Sequence, residues 1–230
     1  MATITEDRSR TLTPDSRVVL RDVGWEGYET LLKLVGDRPV RLTYDRGDLE
    51  LRVPSLDHER YKSLLGRLVE TLTLELDLPC DAAGSTTWRK QIEDRGLEPD
   101  ECYYLANAPR VAGRQVNLNV DPPPDLAIEV EISRSALDRM GIYAALGVPE
   151  VWRFDGETLR IEILQAEGRY REVPASWNFP FLPANEIVRW LRLGDTMGQT
   201  PWLRLFVNWV REELGPGRED VQPAFPADPT

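Results

Sequence analysis

The segment Asp125-Leu126-Ala127-Ile128-Glu129-Val130-Glu131-Ile132 limits the folds open to this chain more than any other. Its β-branched and apolar content reads as a strand inside a sheet, yet it carries carboxylates. About thirty residues earlier, Glu98-Pro99-Asp100-Glu101-Cys102-Tyr103-Tyr104-Leu105 repeats the contradiction. Side chains alternate along a strand, so Ala127, Glu129 and Glu131 share one face, and Ile128, Val130 and Ile132 form the other. Asp100, Cys102 and Tyr104 likewise share a face. A carboxylate in a dry position is costly unless it is paired or holds a cation. The competing reading is a solvated face of an antiparallel sheet.

Glu129 and Glu131 lie about 6–7 Å apart along a strand, a span that one ion with its waters can bridge. Asp125 lies roughly 13 Å from Glu129 and reads as a cap of the strand start. If the two acidic strands are neighbours, about 4.8 Å apart, Asp100 and Glu129 converge on one ion. Oxygen donors suit Mg²⁺ or Mn²⁺. A single histidine makes an ordinary zinc site a poor fit.

The rest of the chain reads as a mixed α/β sheet flanked by helices. Trp25–Val35 has helical spacing. Val40–Tyr44 and Asp48–Val53 form an N-terminal hairpin around Asp45-Arg46-Gly47. A helix runs from an N-cap at Asp57 to about Asp77, with Tyr61, Leu64, Leu65, Leu68, Val69 and Leu72 as its apolar face. Gly84–Gln91 reads as a strand, and a helix is expected over Ser135–Leu146, closed by Gly147. Strands follow at Val151–Phe154, Leu159–Leu164 and Tyr170–Val173. C-terminal helices near Ala184–Leu193 and Pro201–Glu213 complete the pattern. Residues 1–16 read as a flexible lead-in, 17–214 as a single domain, and 215–230, rich in Pro and acid, as a disordered tail.

The net charge of −11 argues against tight non-specific binding to nucleic acid, which needs a basic face. With 41% hydrophobic residues the chain can bury a core, and no apolar run approaches the ~20 residues of a membrane span. No signal-like start and two cysteines, Cys80 and Cys102, make a reducing cytoplasm the default. Glu59, in the first turn of the second helix, suits the helix dipole and is also a candidate ligand. His58 is placed to orient a carboxylate or contact phosphate. Trp202, Leu205, Phe206 and Trp209 are spaced for a helix face that packs in the core or joins a homodimer.

Five stretches in order resemble the Uma family of restriction-endonuclease-like proteins, within the PD-(D/E)xK nuclease superfamily. They are His58-Glu59-Arg60, Gly84–Arg89, Gly96–Tyr104, Pro122–Val130 and Tyr143–Trp152. The resemblance implies an αβββαβ restriction-endonuclease-like core and Mg²⁺-dependent hydrolysis of nucleic acid, DNA first. It makes Asp100 and Glu129 the paired acids and Glu59 the added helix acid. The superfamily lysine falls at position 131, where this chain has Glu131. The basic residue of the Uma pattern, four before the tyrosine of Tyr-x-x-x-Gly, is here Arg139. Arginine stays charged, so Arg139 can hold phosphate but cannot be a base. Lys90 is an alternative source of an amine if its segment lies beside the Asp100 strand, and a solvated strand residue otherwise. A nuclease fold kept as a catalytically inactive binding module is the rival expectation.

Overall fold

The computed structural model describes residues 12–215. The described residues build two sheets. The first is wholly antiparallel, in the order β1 (Ser16–Leu20), β3 (Asp48–Val53), β2 (Arg41–Asp45), β6 (Arg95–Leu97), β5 (Trp88–Lys90). The second runs β11 (Tyr170–Val173), β10 (Leu159–Leu164), β9 (Glu150–Phe154), β8 (Leu126–Val130), β7 (Glu101–Tyr104), β4 (Asp81–Ala82). Among the described residues only β8 and β9 pair in parallel, and helix α4 (Arg139–Leu146) joins them. With helix α2 (Leu56–Glu75), the succession α2, β4, β7, β8, α4, β9 is the expected αβββαβ core. β10 and β11 extend it, β5 and β6 are inserted into the first sheet, and a short helix, α3 (Ala108–Val111), lies between β7 and β8.

Both faces of the second sheet are covered. On one, Ile128, Val130 and Trp152 pack with Leu64, Leu68 and Leu72 of α2 and with the C-terminal helices α5 (Ala184–Thr196) and α6 (Gln199–Trp209). On the other, Ala127, Cys102 and Tyr104 pack with Ile142, Tyr143 and Leu146 of α4. Period-two strands thus meet helices whose apolar stripes recur every three or four residues. Trp202 and Phe206 stack at 5.6 Å inside this helix layer, and Trp190 meets Phe206 edge-on. Their spacing is that of a core helix.

The first sheet has a different character. Leu42, Tyr44, Leu49 and Leu51 face helix α1 (Trp25–Val35) and its buried Tyr28. The registers Arg17↔Arg52, Val19↔Glu50 and Thr43↔Glu50 put Arg17, Thr43, Glu50 and Arg52 on the opposite face. That face is not solvated: Thr43, Glu50 and Arg52 are buried. It looks towards the acidic side of the second sheet, with α4 beside β5 and β6.

Several expectations are corrected. The cap of α2 is Ser55, whose side chain accepts the His58 N–H at 3.2 Å; Asp57 lies inside the first turn and accepts the Thr13 N–H. Only Trp88–Lys90 of the Gly84–Gln91 segment is strand, and it pairs with β6 rather than with the Asp100 strand, whose neighbours are β4 and β8. Helix α4 starts at Arg139 rather than Ser135, because Glu50 takes the segment before it: Ser135 Oγ and the Ala136 N–H both donate to its carboxylate, at 3.0 and 2.8 Å. Residues 12–16 run straight into β1, a strand the sequence reading lacks, and Asp15 is buried. The remaining lead-in, 1–11, and the tail beyond Gly215 lie outside the described residues.

Candidate functional site

β7 and β8 pair antiparallel with Glu101 opposite Ile128 and Cys102 opposite Ala127. One step further along this register sets Asp100 opposite Glu129, on the side facing α4 and the first sheet. Asp100 is fixed there by the backbone: its N–H donates to Ile128 O at 3.2 Å, and its Oδ2 accepts the Val130 N–H at 2.7 Å. Each carboxylate is only 1% exposed. The two acids sit together in a dry site, as unpaired carboxylates cannot.

Arginine and histidine supply the opposing charge. Arg52, reaching across from β3, donates to Asp100 Oδ1. His58, in the first turn of α2, lies between two acids: Nε2 is 3.0 Å from Asp100 Oδ1, and Nδ1 is 3.2 Å from Asp15 Oδ2. Neither contact is aligned as a hydrogen bond, so both act as charge pairs. Arg139 and Tyr143 of α4 both donate to Glu129 Oε1. Arg139 is tied further to Thr43 Oγ1 and, at 3.0 Å, to Glu98 O. Asp138 caps α4 by accepting the Gly141 N–H at 3.1 Å, which sets the direction of its neighbour Arg139.

Burial and pairing pull these groups in different directions. Burial alone would push the Asp100 carboxyl up, but Arg52, His58 and Arg139 outweigh it and hold it well below the usual carboxylate range. For Glu129 burial wins, helped by the Asp100 charge, and its carboxyl is raised in spite of Arg139. Burial opposes charge on His58, yet Asp100 and Asp15 lift its imidazole to about 9. Burial also disfavours the Arg139 cation, but Glu129 dominates and raises it beyond even the ordinary guanidinium value.

Arg139, though itself buried, is among the residues lining a cleft of about 850 Å³, with Arg134, Arg153 and Arg160 and the acids Glu131, Asp138, Asp155, Glu157 and Asp195. Glu131 holds Arg153 there, at 2.8 and 3.1 Å. Glu59 is exposed on α2, 3.6 Å from Lys62. Lys90 Nζ donates to Leu146 O at 3.2 Å, at the far end of α4. The structure therefore brings Asp100, Glu129, Arg139 and His58 together, and sets Glu131 at the cleft wall and Glu59 and Lys90 elsewhere. Asp125 accepts the Leu105 and Asn107 N–H groups at 2.7 and 2.9 Å, closing the turn after β7.

Arg52, Asp15, Thr43, Glu50 and Tyr143 are members that sequence reasoning missed. Glu50 and Arg52 alternate with Leu49 and Leu51, the pattern of a half-solvated strand. Tyr143 stood only as a marker in a motif.

The family model described as "Putative restriction endonuclease" (Uma2) matches residues 6–194, well over half of the chain. The chain belongs to the Uma2 family. No curated protein matches it. The Uma2 match spans both acidic strands, the α2 start and α4. Among the described residues, no helix of this Uma2 protein is long and apolar enough to cross a membrane.

Donor chemistry tests whether a hard divalent ion fits. Two carboxylates on paired strands are donors of the right kind. Glu129 Oε2 is buried with no partner, an oxygen left open beside Asp100. Among the described residues no three His, Cys, Asp or Glu side chains are grouped to hold an ion, so one here would rest on two carboxylates and water. Magnesium sites with few protein ligands are common, so the donors fit in kind: Glu129 Oε2 is open, and Asp100 would have to exchange one of its present partners, Arg52 or the Val130 N–H, for the ion.

Proposed function

We propose that this Uma2 protein is an endonuclease that hydrolyses phosphodiester bonds of DNA with Mg²⁺ or Mn²⁺, and that Asp100 and Glu129 hold the ion. The observation that carries the reading is the β7–β8 register, which sets two buried carboxylates side by side with Glu129 Oε2 open. The ion, when bound, would polarise a phosphate oxygen and lower the pKa of a bound water.

The chain's own groups do the rest. Arg139 stands between the acids and the cleft, and its planar fork suits a phosphate's paired oxygens. It stays protonated, so it orients and neutralises and takes no proton. Tyr143 donates to Glu129 Oε1 and fixes the rotamer that leaves Oε2 open. Its phenol is raised well above its usual range by burial and by Glu129, so it remains a donor. Arg134 and Arg160 are exposed at the cleft, but Glu131, Asp138, Asp155, Glu157 and Asp195 line it too, so phosphate contact there rests on individual arginines rather than on a basic surface. Glu59, Glu131 and Lys90 receive no role, since each is engaged away from the two acids.

The test is cleavage of plasmid and oligonucleotide DNA with Mg²⁺ or Mn²⁺. Glu129→Ala should lose activity by about a hundredfold or more. Equal cleavage by both proteins would remove this site from the chemistry. A second reading, a nuclease fold without catalysis, is favoured by Asp100, both of whose oxygens are already filled. It expects no Mn²⁺ binding even at millimolar metal.

A further inference from the structure

Arg52 is the charged member of this cluster to which the proposed chemistry gives no task. It comes from β3, in the other sheet, and is buried. Among the described residues its one hydrogen bond goes from a terminal nitrogen to Asp100 Oδ1. The other terminal nitrogen stands 3.8 Å from Asp15 Oδ2, and Nε is buried without a partner. A guanidinium has five N–H donors; among the described residues one terminal nitrogen of Arg52 makes a hydrogen bond, and Nε makes none. Arg139 differs at its terminal nitrogens: its Nε is also without a partner, but Glu129, Thr43 and the Glu98 carbonyl hold Nη1 and Nη2 from three directions. Of the two arginines buried among the described residues, Arg52 is therefore the one that can move.

It also has somewhere to go. Asp15 Oδ2 is buried and accepts no hydrogen bond, although His58 at 3.2 Å and Arg17 at 3.6 Å pair with its charge. Asp15 is anchored from its other oxygen, Oδ1, which accepts the Ser55 N–H at 2.8 Å. One guanidinium thus stands between two acids, bonded to the first and within ion-pair reach of the second. A divalent ion cannot join Asp100 while Arg52 remains on it. Like charges that close in a dry site repel strongly, and Oδ1 already carries two cationic neighbours.

We propose that Arg52 is an internal counter-ion that competes with the divalent cation for Asp100, so that the ion reaches Asp100 only as the guanidinium passes to Asp15. Arg52 then sets metal affinity without being a ligand. The inference rests on the reading that Asp100 and Glu129 hold the ion.

Mn²⁺ alone is the probe. The full chain is titrated by calorimetry and by the resonance signal of free Mn²⁺, as wild type, Arg52→Met and Glu129→Ala. Arg52→Met, which keeps much of the side-chain volume and drops the charge, should bind Mn²⁺ about tenfold tighter or more. If wild type and Arg52→Met bind equally and Glu129→Ala loses binding, the ion site stands and the competition is wrong. If none of the three binds, the ion reading falls and takes this inference with it. A wild-type measurement guards against an Arg52→Met protein that does not fold. The Nε–Hε resonance of Arg52, assigned through Arg52→Lys, should shift and lose protection from solvent exchange as Mg²⁺ saturates the protein. An unchanged resonance at saturation overturns the proposal.

Discussion

Asp100 is charged, buried and surrounded by cations: Arg52, His58 and, at longer range, Arg139. Its removal differs from the loss of an ordinary ion pair. Asn at this position keeps the shape but leaves buried cations without their counter-charge, and breaking such a set costs about 3–5 kcal/mol. Glu131 pairs with Arg153 at the cleft wall, each side chain about a fifth exposed, where solvent screens the interaction to about 1 kcal/mol. In metal-free protein, urea unfolding should show Asp100→Asn losing several times more stability than Glu131→Gln. Comparable losses would mean that the cluster around Asp100 is not a tightly coupled set. The contrast also explains what could be read from sequence. Asp100 and Glu129 were legible as partners because acids in apolar strands demand an explanation and the strand period fixes their face. Arg52 was not legible. Alternation of Leu49, Glu50, Leu51 and Arg52 looks the same whether the polar face meets water or another polar face.

α4 shows how a local boundary is set from far away in sequence. Helical periodicity over Ser135–Leu146 is genuine, yet Glu50, 85 residues upstream of Ser135, draws Ser135 and Ala136 into its own hydrogen bonds. The helix then starts under the Asp138 cap, with Arg139 in its first turn. Its other end needed no such help to be read: Gly147 adopts φ 82° and donates to Tyr143 O and Ala144 O, as a glycine after a helix commonly does. The cap has a consequence for Arg139. Asp138→Ala should cost about 1 kcal/mol of stability, whereas Asp138→Ser should restore most of it, since the hydroxyl can accept the same N–H. Thermal unfolding of the three proteins measures this. Identical melting of Asp138→Ala and wild type would show that the Gly141 contact does not start the helix.

The molecule joins two sheets with different means of cohesion. The second sheet is buried between α2, α5 and α6 on one face and α4 on the other, and apart from Glu129, Glu150 and Arg153 the side chains of β8 and β9 are apolar on both sides. The first sheet rests its apolar face on α1 and turns a polar one inward, so Arg17, Glu50 and Arg52 cross to Ser133, Ser135, Ala136 and Asp100. Apolar burial is non-directional and grows with area, whereas a seam of buried ion pairs contributes little net stability beyond the cost of desolvating its charges. The first sheet should therefore open before the second, as a partial unfolding unit. Native-state hydrogen exchange tests this directly. Amides of β8 and β9 should exchange only through global unfolding, with a denaturant dependence equal to that of the whole protein. Amides of β1 and the β2–β3 hairpin should exchange at lower free energy, with a smaller denaturant dependence. Such a unit carries Arg52 with it, so its opening would also uncover Asp100. Equal protection in β3 and β8 would show instead that the charged seam binds the two sheets as firmly as an apolar core.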